Sequence, residues 1–256
     1  MNANELFRSG KLTEAIRALG EEIRQNPLDT KKRTFLFELL CFAGEWERGE
    51  KQLDVLAQGG TNVELGALLY RAALHAERER QQFFKGKAYL DSALPAGDVP
   101  EIAEALATEP SIKSLSGTFN GQPFQNISDA DPRIGARLEV FVAGRYLWVP
   151  FEHIVSVKLQ PPKRLRDLLW APALITNGSK FKGRDLGEVL IPVLSPFSST
   201  HADEAVRLGH ATAWQESDGL EVPFGQKMLL IDEEEVPLLE VRELQLDASR
   251  EAVSAG

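Results

Sequence analysis

One cysteine, Cys41, stands alone in a chain of 256 residues. A disulfide framework is therefore excluded, and a reducing cytoplasm is the expected home. No uninterrupted apolar run approaches the roughly 18 residues that a membrane-spanning helix needs, so no membrane partner is expected. The opening "MNANELFRSGKLTEAI" has no basic segment followed by an apolar stretch, so no secretory signal is expected either. The triplets Asn126-Ile127-Ser128 and Asn177-Gly178-Ser179 are then chance matches to a glycosylation acceptor.

Catalytic signatures are also missing. There is no Gly-x-Ser-x-Gly elbow, and "GRDLG" at 183–187 lacks the lysine and the strand–loop–helix order of a phosphate-binding loop. Histidine occurs four times, at His75, His153, His201 and His210. His201, Asp203, Glu204 and His210 follow no metal-ligand spacing and read as loop surface. Cys41, inside "LFELLCFAG", reads as a small packed hydrophobe rather than a nucleophile. No catalytic residue, metal ligand or cofactor is assigned, and the chain reads as a non-enzyme.

Positive charge is in short supply too. The formal net charge is −9, and all of it falls after residue 94, because the first 94 residues balance fourteen basic against fourteen acidic side chains. A polyanionic backbone attracts basic patches, so nucleic acid is not an expected partner. The one basic cluster, Lys158, Lys163, Arg164 and Arg166, has acids close by and reads as solvated surface.

What the chain does have is a repeat. Leu6, Gly10, Leu12, Ala15 and Leu19 recur 34 residues later as Leu40, Gly44, Trp46, Gly49 and Leu53. That is the tetratricopeptide period, a two-helix unit. Gly10 and Gly44 are placed to end first helices, where a left-handed residue is needed. Leu12 and Trp46 fill the gap between paired helices, Ala15 and Gly49 are small where helices are expected to touch, and Pro27 closes the first unit. A third, degenerate unit runs through "VELGALLYRAALHAERERQQFF" without the glycine or the proline.

Pro, Gly and Ser then interrupt the pattern in "LPAGDVP" and "ATEPSIKSLSG", around the short helical piece "VPEIAEAL". From there the period becomes two. Leu138, Val140 and Val142 alternate with Arg137, Glu139 and Phe141, and a turn at 143–145 leads into Tyr146–Val149. Further strands are expected at Ile154–Leu159, Leu174–Thr176, Val189–Leu194, Ala211–Gln215, Lys227–Ile231 and Pro237–Leu244, the last two flanking an acidic hairpin tip at 232–235. A short helix is expected at Asp203–Leu208, capped from Ser198, Ser199 or Thr200. The fold class is α+β: a tetratricopeptide-like helical stack (1–94), a linker with a short helix (95–116), a β-rich domain (117–248) and a disordered tail (249–256).

The segments "NPLDTKKRTFLFELLCFAGEWERGEKQLDVL", "ISDADPRIGARLEVFVAGRYLWVPFEHI", "RDLLWAPA", "RLGHATAW" and "GQKMLLID", with Trp46, Trp148, Trp170 and Trp214, together resemble the ImpE family, also called SciE or TagJ, across essentially the whole chain. The resemblance implies an accessory protein of bacterial type VI secretion. It implies a partner as well, the N-terminal helix of the small sheath subunit TssB, and through it an indirect link to the disassembly ATPase ClpV. Tetratricopeptide stacks bind helices or extended peptides on the concave face made by their first helices. Here that face is expected to carry Phe7, Lys31, Thr34, Glu38 and Cys41, with Leu65, Leu68, Ala72 and His75 from the third unit. The competing arrangement buries Leu65, Leu68 and Ala72 against the β domain. The competing function is an enzyme or small-ligand binder with a site between the two halves, whose mark would be a polar pocket gathering Asp129, Asp131, Arg133 and His153.

Overall fold

The structure, a computed structural model, describes residues 1–59, 61–87, 115–178 and 186–247, and of residues 61–65 the backbone alone. The expected linker helix and the tail from 249 lie outside the described residues. Five helices come first: α1 (Ala3–Arg8), α2 (Leu12–Gln25), α3 (Thr30–Phe42), α4 (Trp46–Leu56) and α5 (Thr61–Lys85). Asn2 opens α1 with a capping box, and Asp29 caps α3 by accepting the Lys32 N–H. The repeated glycines end α1 and α3 in the same way. Gly10 and Gly44 have φ of +77° and +71°. Around them Lys11 N donates to Leu6 O, Gly10 N to Phe7 O, Glu45 N to Leu40 O and Gly44 N to Cys41 O. Two Schellman closures therefore stand where the 34-residue spacing puts them. The third unit departs from a helix pair: α5 is a single helix of 25 residues, since nothing between Thr61 and Lys85 breaks it.

Thirteen strands are described after Gly117. Eight form one antiparallel sheet in the order β2-β1-β13-β6-β7-β8-β4-β5, where β1 is Gly117–Phe119, β2 Gln122–Phe124, β4 Arg137–Val142, β5 Arg145–Pro150, β6 Ile154–Leu159, β7 Trp170–Asn177, β8 Gly187–Pro192 and β13 Glu243–Leu246. β3 (Ile127–Asp129), β11 (Met228–Ile231) and β12 (Glu234–Pro237) make a second sheet, and β9 (Thr212–Ser217) with β10 (Leu220–Gly225) a third. The short helix Glu204–Arg207 is capped by Asp203, not by the expected serines; Ser198–Thr200 close a 3-10 turn of their own.

The alternation in β4 is literal. Leu138 and Val140 face a core made wholly within the β half, while Phe141 enters a second core. That second core is shared: Leu39, Leu40, Phe42 and Leu74 of the helices pack with Phe141, Tyr146, Trp148, Leu169 and Trp170 of the β half. α5 roofs the sheet at β5 and β4. The β4–β5 turn, Ala143 (φ +49°) and Gly144 (φ +82°), is of the type that needs two left-handed residues. It abuts α5 so closely that a Cβ on Gly144 would lie 3.3 Å from Ala72 Cβ.

Candidate functional site

Behind this surface lies a buried charge cluster that fixes α5 on the sheet. Arg80 donates to both carboxylate oxygens of Glu139 on β4, at 2.7 and 3.0 Å, to Glu77 at 3.2 Å and to Leu194 O at 2.9 Å. Lys227 reaches Asp129 and Glu139, each at 2.6 Å. The Tyr146 hydroxyl donates to Glu139 at 2.5 Å and accepts from the Trp148 indole N–H. Burial alone would raise the Glu139 carboxyl, but Arg80 and Lys227 outweigh it and hold it at about 2; burial raises Asp129 to about 6 despite Lys227. Every charge has an opposite charge in contact, which makes the cluster an anchor rather than a reactive site.

In front of the anchor α5 separates two open grooves. One, of about 310 Å³, lies toward α3 and α4, floored by Phe37, Leu53, Leu56 and Ala67 and walled by Arg164 and Arg166. The other, of about 540 Å³, lies toward the sheet, against Trp170, Pro172, Leu174 and Leu190. Leu69 and Tyr70 line both. α5 meets β7 at its first residue, where Tyr70 packs on Trp170, and leaves Leu174 further along the strand open. Leu174 is 47% exposed, Leu69 52% and Leu68 61%. Leu69 and Leu174 line the same groove, and uncovered leucines gathered in this way mark an interaction surface rather than scatter. The wall between the halves is a ladder: Glu38 pairs with Arg166 at 2.9 Å, Arg166 lies 4.6 Å over the Tyr70 ring, and Tyr70 stacks on Trp170.

The residues expected on the concave face therefore separate. Leu68 is exposed, and Ala72 borders the larger groove. His75 is exposed too and holds Gly144 O at 3.0 Å. Thr34 borders the smaller groove. Phe7 sits edge-on to Phe35 and lines neither groove. Glu38 and Cys41 are buried under the β half, beneath Arg166 and beside Trp170, so they cannot meet a ligand in this arrangement. Burial raises both side chains' pKa, Arg166 opposing it for Glu38 and Glu38 adding to it for Cys41. The side chain of Leu65 lies outside the described residues. The reason for the change is that the β half fills the inner part of the concavity. It leaves open the flanks of α5, where Leu69, Tyr70, Trp170 and Leu174 were not singled out. The signal for them was the adjacent pair of leucines at 68–69, which one helical face cannot bury together.

The gathering that would mark a small-molecule site is absent from these grooves. Asp131 closes on Arg133 at 2.5 Å and Asp129 on Lys227. His153 is buried at the start of β6. None of the four lines either groove.

A family model described as "ImpE protein" matches residues 121–245. The type VI secretion system accessory component TagJ of Pseudomonas aeruginosa is 34% identical, the match covering 96% of this chain and 92% of that protein. The X-ray crystal structure of protein VPA1032 from Vibrio parahaemolyticus, 23% identical, superposes with a TM-score of 0.79 over 95% of this chain and 97% of its own, and shares the α+β fold.

Proposed function

The chain belongs to the ImpE family, and on that footing we propose that this accessory component of type VI secretion works as a non-enzymatic cytoplasmic adaptor. Its partner in this reading is a short amphipathic helix at the N-terminus of a TssB-like sheath subunit. Through that subunit it bears on sheath assembly or on disassembly by ClpV, with no cofactor involved. The observation that carries the reading is the pair of grooves astride α5, with Leu69, which lines both, uncovered between them and Leu68 exposed beside it in the chain. A helix laid across this ridge presents apolar residues at i, i+3, i+4 and i+7, which is the spacing needed to enter both grooves. The buried anchor ties α5 to the sheet through Arg80, which lowers the ordering cost of binding.

Calorimetry with a peptide covering the N-terminal segment of the cognate TssB-like subunit tests this. Binding is expected, and Leu69→Asp is expected to abolish it, because apolar anchors at the centre of an interface carry most of its energy. No heat and no co-elution at high micromolar peptide would overturn the reading.

A further inference from the structure

The rim of these grooves is charged asymmetrically. In a chain of net charge −9, most cations near the site are already paired: Arg166 with Glu38, Arg71 with Asp54, Arg78 with Glu50 and Lys158 with Glu243. Lys163 and Arg164 are different. Both are exposed, and among the described residues neither has an acid in contact. The closest acid in sequence, Asp167, accepts the backbone N–H groups of Lys163 and Arg164, each at 2.9 Å, and makes no ion pair with their side chains. Arg164 walls the smaller groove. Lys31, exposed and equally without an ion pair, stands one turn before Thr34 on the same face of α3. On the opposite side the larger groove is bordered by Glu188 of β8, likewise without an ion pair among the described residues, by Asp167, and by Lys158, whose ammonium is held by Glu243.

Resting on the adaptor reading above, we propose that the helix seated across α5 is charge-segregated: a carboxylate-bearing edge faces Lys31, Lys163 and Arg164, and an ammonium- or guanidinium-bearing edge faces Glu188. The apolar grooves fix where the helix lies. They do not fix its rotation about its own axis or the direction in which it runs. Unpaired charges of opposite sign on the two rims do both, since a reversed helix would bring like charges together. Because none of the described acids pairs with these three cations, a partner's carboxylates meet them without breaking an ion pair among the described residues.

The first test is the cognate peptide itself: drawn as a helix, it carries acids along one edge of its apolar stripe, and a segment without them overturns the inference. The second is charge exchange. The double variant Lys163→Glu/Arg164→Glu, both positions exposed, is expected to bind about tenfold more weakly at low salt, chiefly through a slower association rate. That difference is expected to shrink at high salt. A peptide whose acidic edge is changed to lysine is expected to bind the double variant better than it binds the wild type. Equal binding of the double variant and the wild type, with Leu69→Asp still abolishing binding, sinks the charged rim and leaves the adaptor reading standing. Peptide binding that survives Leu69→Asp overturns the placement on α5 and the rim with it. Absence of any binding by the wild type overturns both readings together.

Discussion

Arg80 and Glu139 meet across the boundary between helix and sheet as a two-pronged pair, Nε to Oε1 at 2.7 Å and Nη2 to Oε2 at 3.0 Å, with neither side chain reaching solvent. Removing one partner strands a buried charge. Arg80→Met is expected to cost about 3–5 kcal/mol in urea unfolding, and Glu139→Gln a similar amount. The double replacement is expected to cost clearly less than the sum, since it removes both charges; strict additivity in the cycle would show that the two do not act as a pair.

The same cluster gives stability a pH dependence of two opposite signs. Burial, opposed by Lys227, raises Asp129 from 3.8 to about 6. The folded protein holds that proton more tightly than the unfolded chain. Its contribution is therefore complete below pH 3.8 and is lost as pH rises through 6. Glu139 runs the other way: held at about 2 against 4.5, its contribution is complete above pH 4.5 and is lost as pH falls toward 2. The stability of wild type relative to Asp129→Asn is expected to decline as pH rises from 3.8 to 6. A flat difference across that window would contradict it.

The two glycines of the second repeat unit are expected to respond oppositely to alanine. At Gly49 a Cβ would meet the Phe37 ring at 3.6 Å and Cys41 Sγ at 3.7 Å, ordinary contacts inside a helix. Gly49→Ala is thus expected to be neutral or to stabilise by up to about 1 kcal/mol. At Gly44 φ is +71° and a Cβ would fall 2.5 Å from Ser199 Oγ, so Gly44→Ala is expected to cost at least about 1 kcal/mol. Thermal midpoints decide both. Ala15 is fully buried, and Ala15→Leu is expected to cost about 1–3 kcal/mol by overpacking.

Cys41 offers an internal reporter. It is buried, and burial together with Glu38 and Glu77 pushes its thiol up, so the reactive thiolate is scarce in the folded protein. Labelling by a thiol reagent is expected to proceed only through opened molecules, with a rate that rises in step with the destabilisation of Arg80→Met. Rapid labelling of native wild type would show that the β half does not cover α3.

Features set by local chemistry were readable in advance. Gly10 and Gly44 announced two helix ends, and small or acidic residues flagged turns at 143–145 and 232–235; the second is tighter than expected, since Glu234 and Glu235 already pair in β12, and the strand expected at Pro237–Leu244 is broken by a 3-10 turn at Leu238–Glu240. Strand β10 was missed because Pro223 looked like a turn; it is tolerated because, among the described residues, β10 pairs with β9 alone. Strands β1 to β3 have three residues each, too few for a period to show. The candidate grooves were legible in part. Ala72 and Thr34 border them and Leu68 and His75 are exposed on α5, while Glu38 and Cys41 are buried, because what covers Glu38 is Arg166, 128 residues further on. The basic cluster at 158–166, read as plain solvated surface, holds Arg166 in the wall of a groove and Arg164 on its rim.

The shared core has a consequence for synthesis on the ribosome. The helices leave the exit tunnel first, and the part of their core that packs on Phe141, Tyr146, Trp148, Leu169 and Trp170 emerges before those residues can cover it. Arg80 precedes Glu139 by 59 residues, and Asp129 precedes Lys227 by 98. A nascent chain therefore carries an uncovered greasy face and uncompensated charges until nearly all of it has been translated. A chain stalled or cut before Lys227 is expected to be a client of chaperones and proteases rather than a usable half-protein.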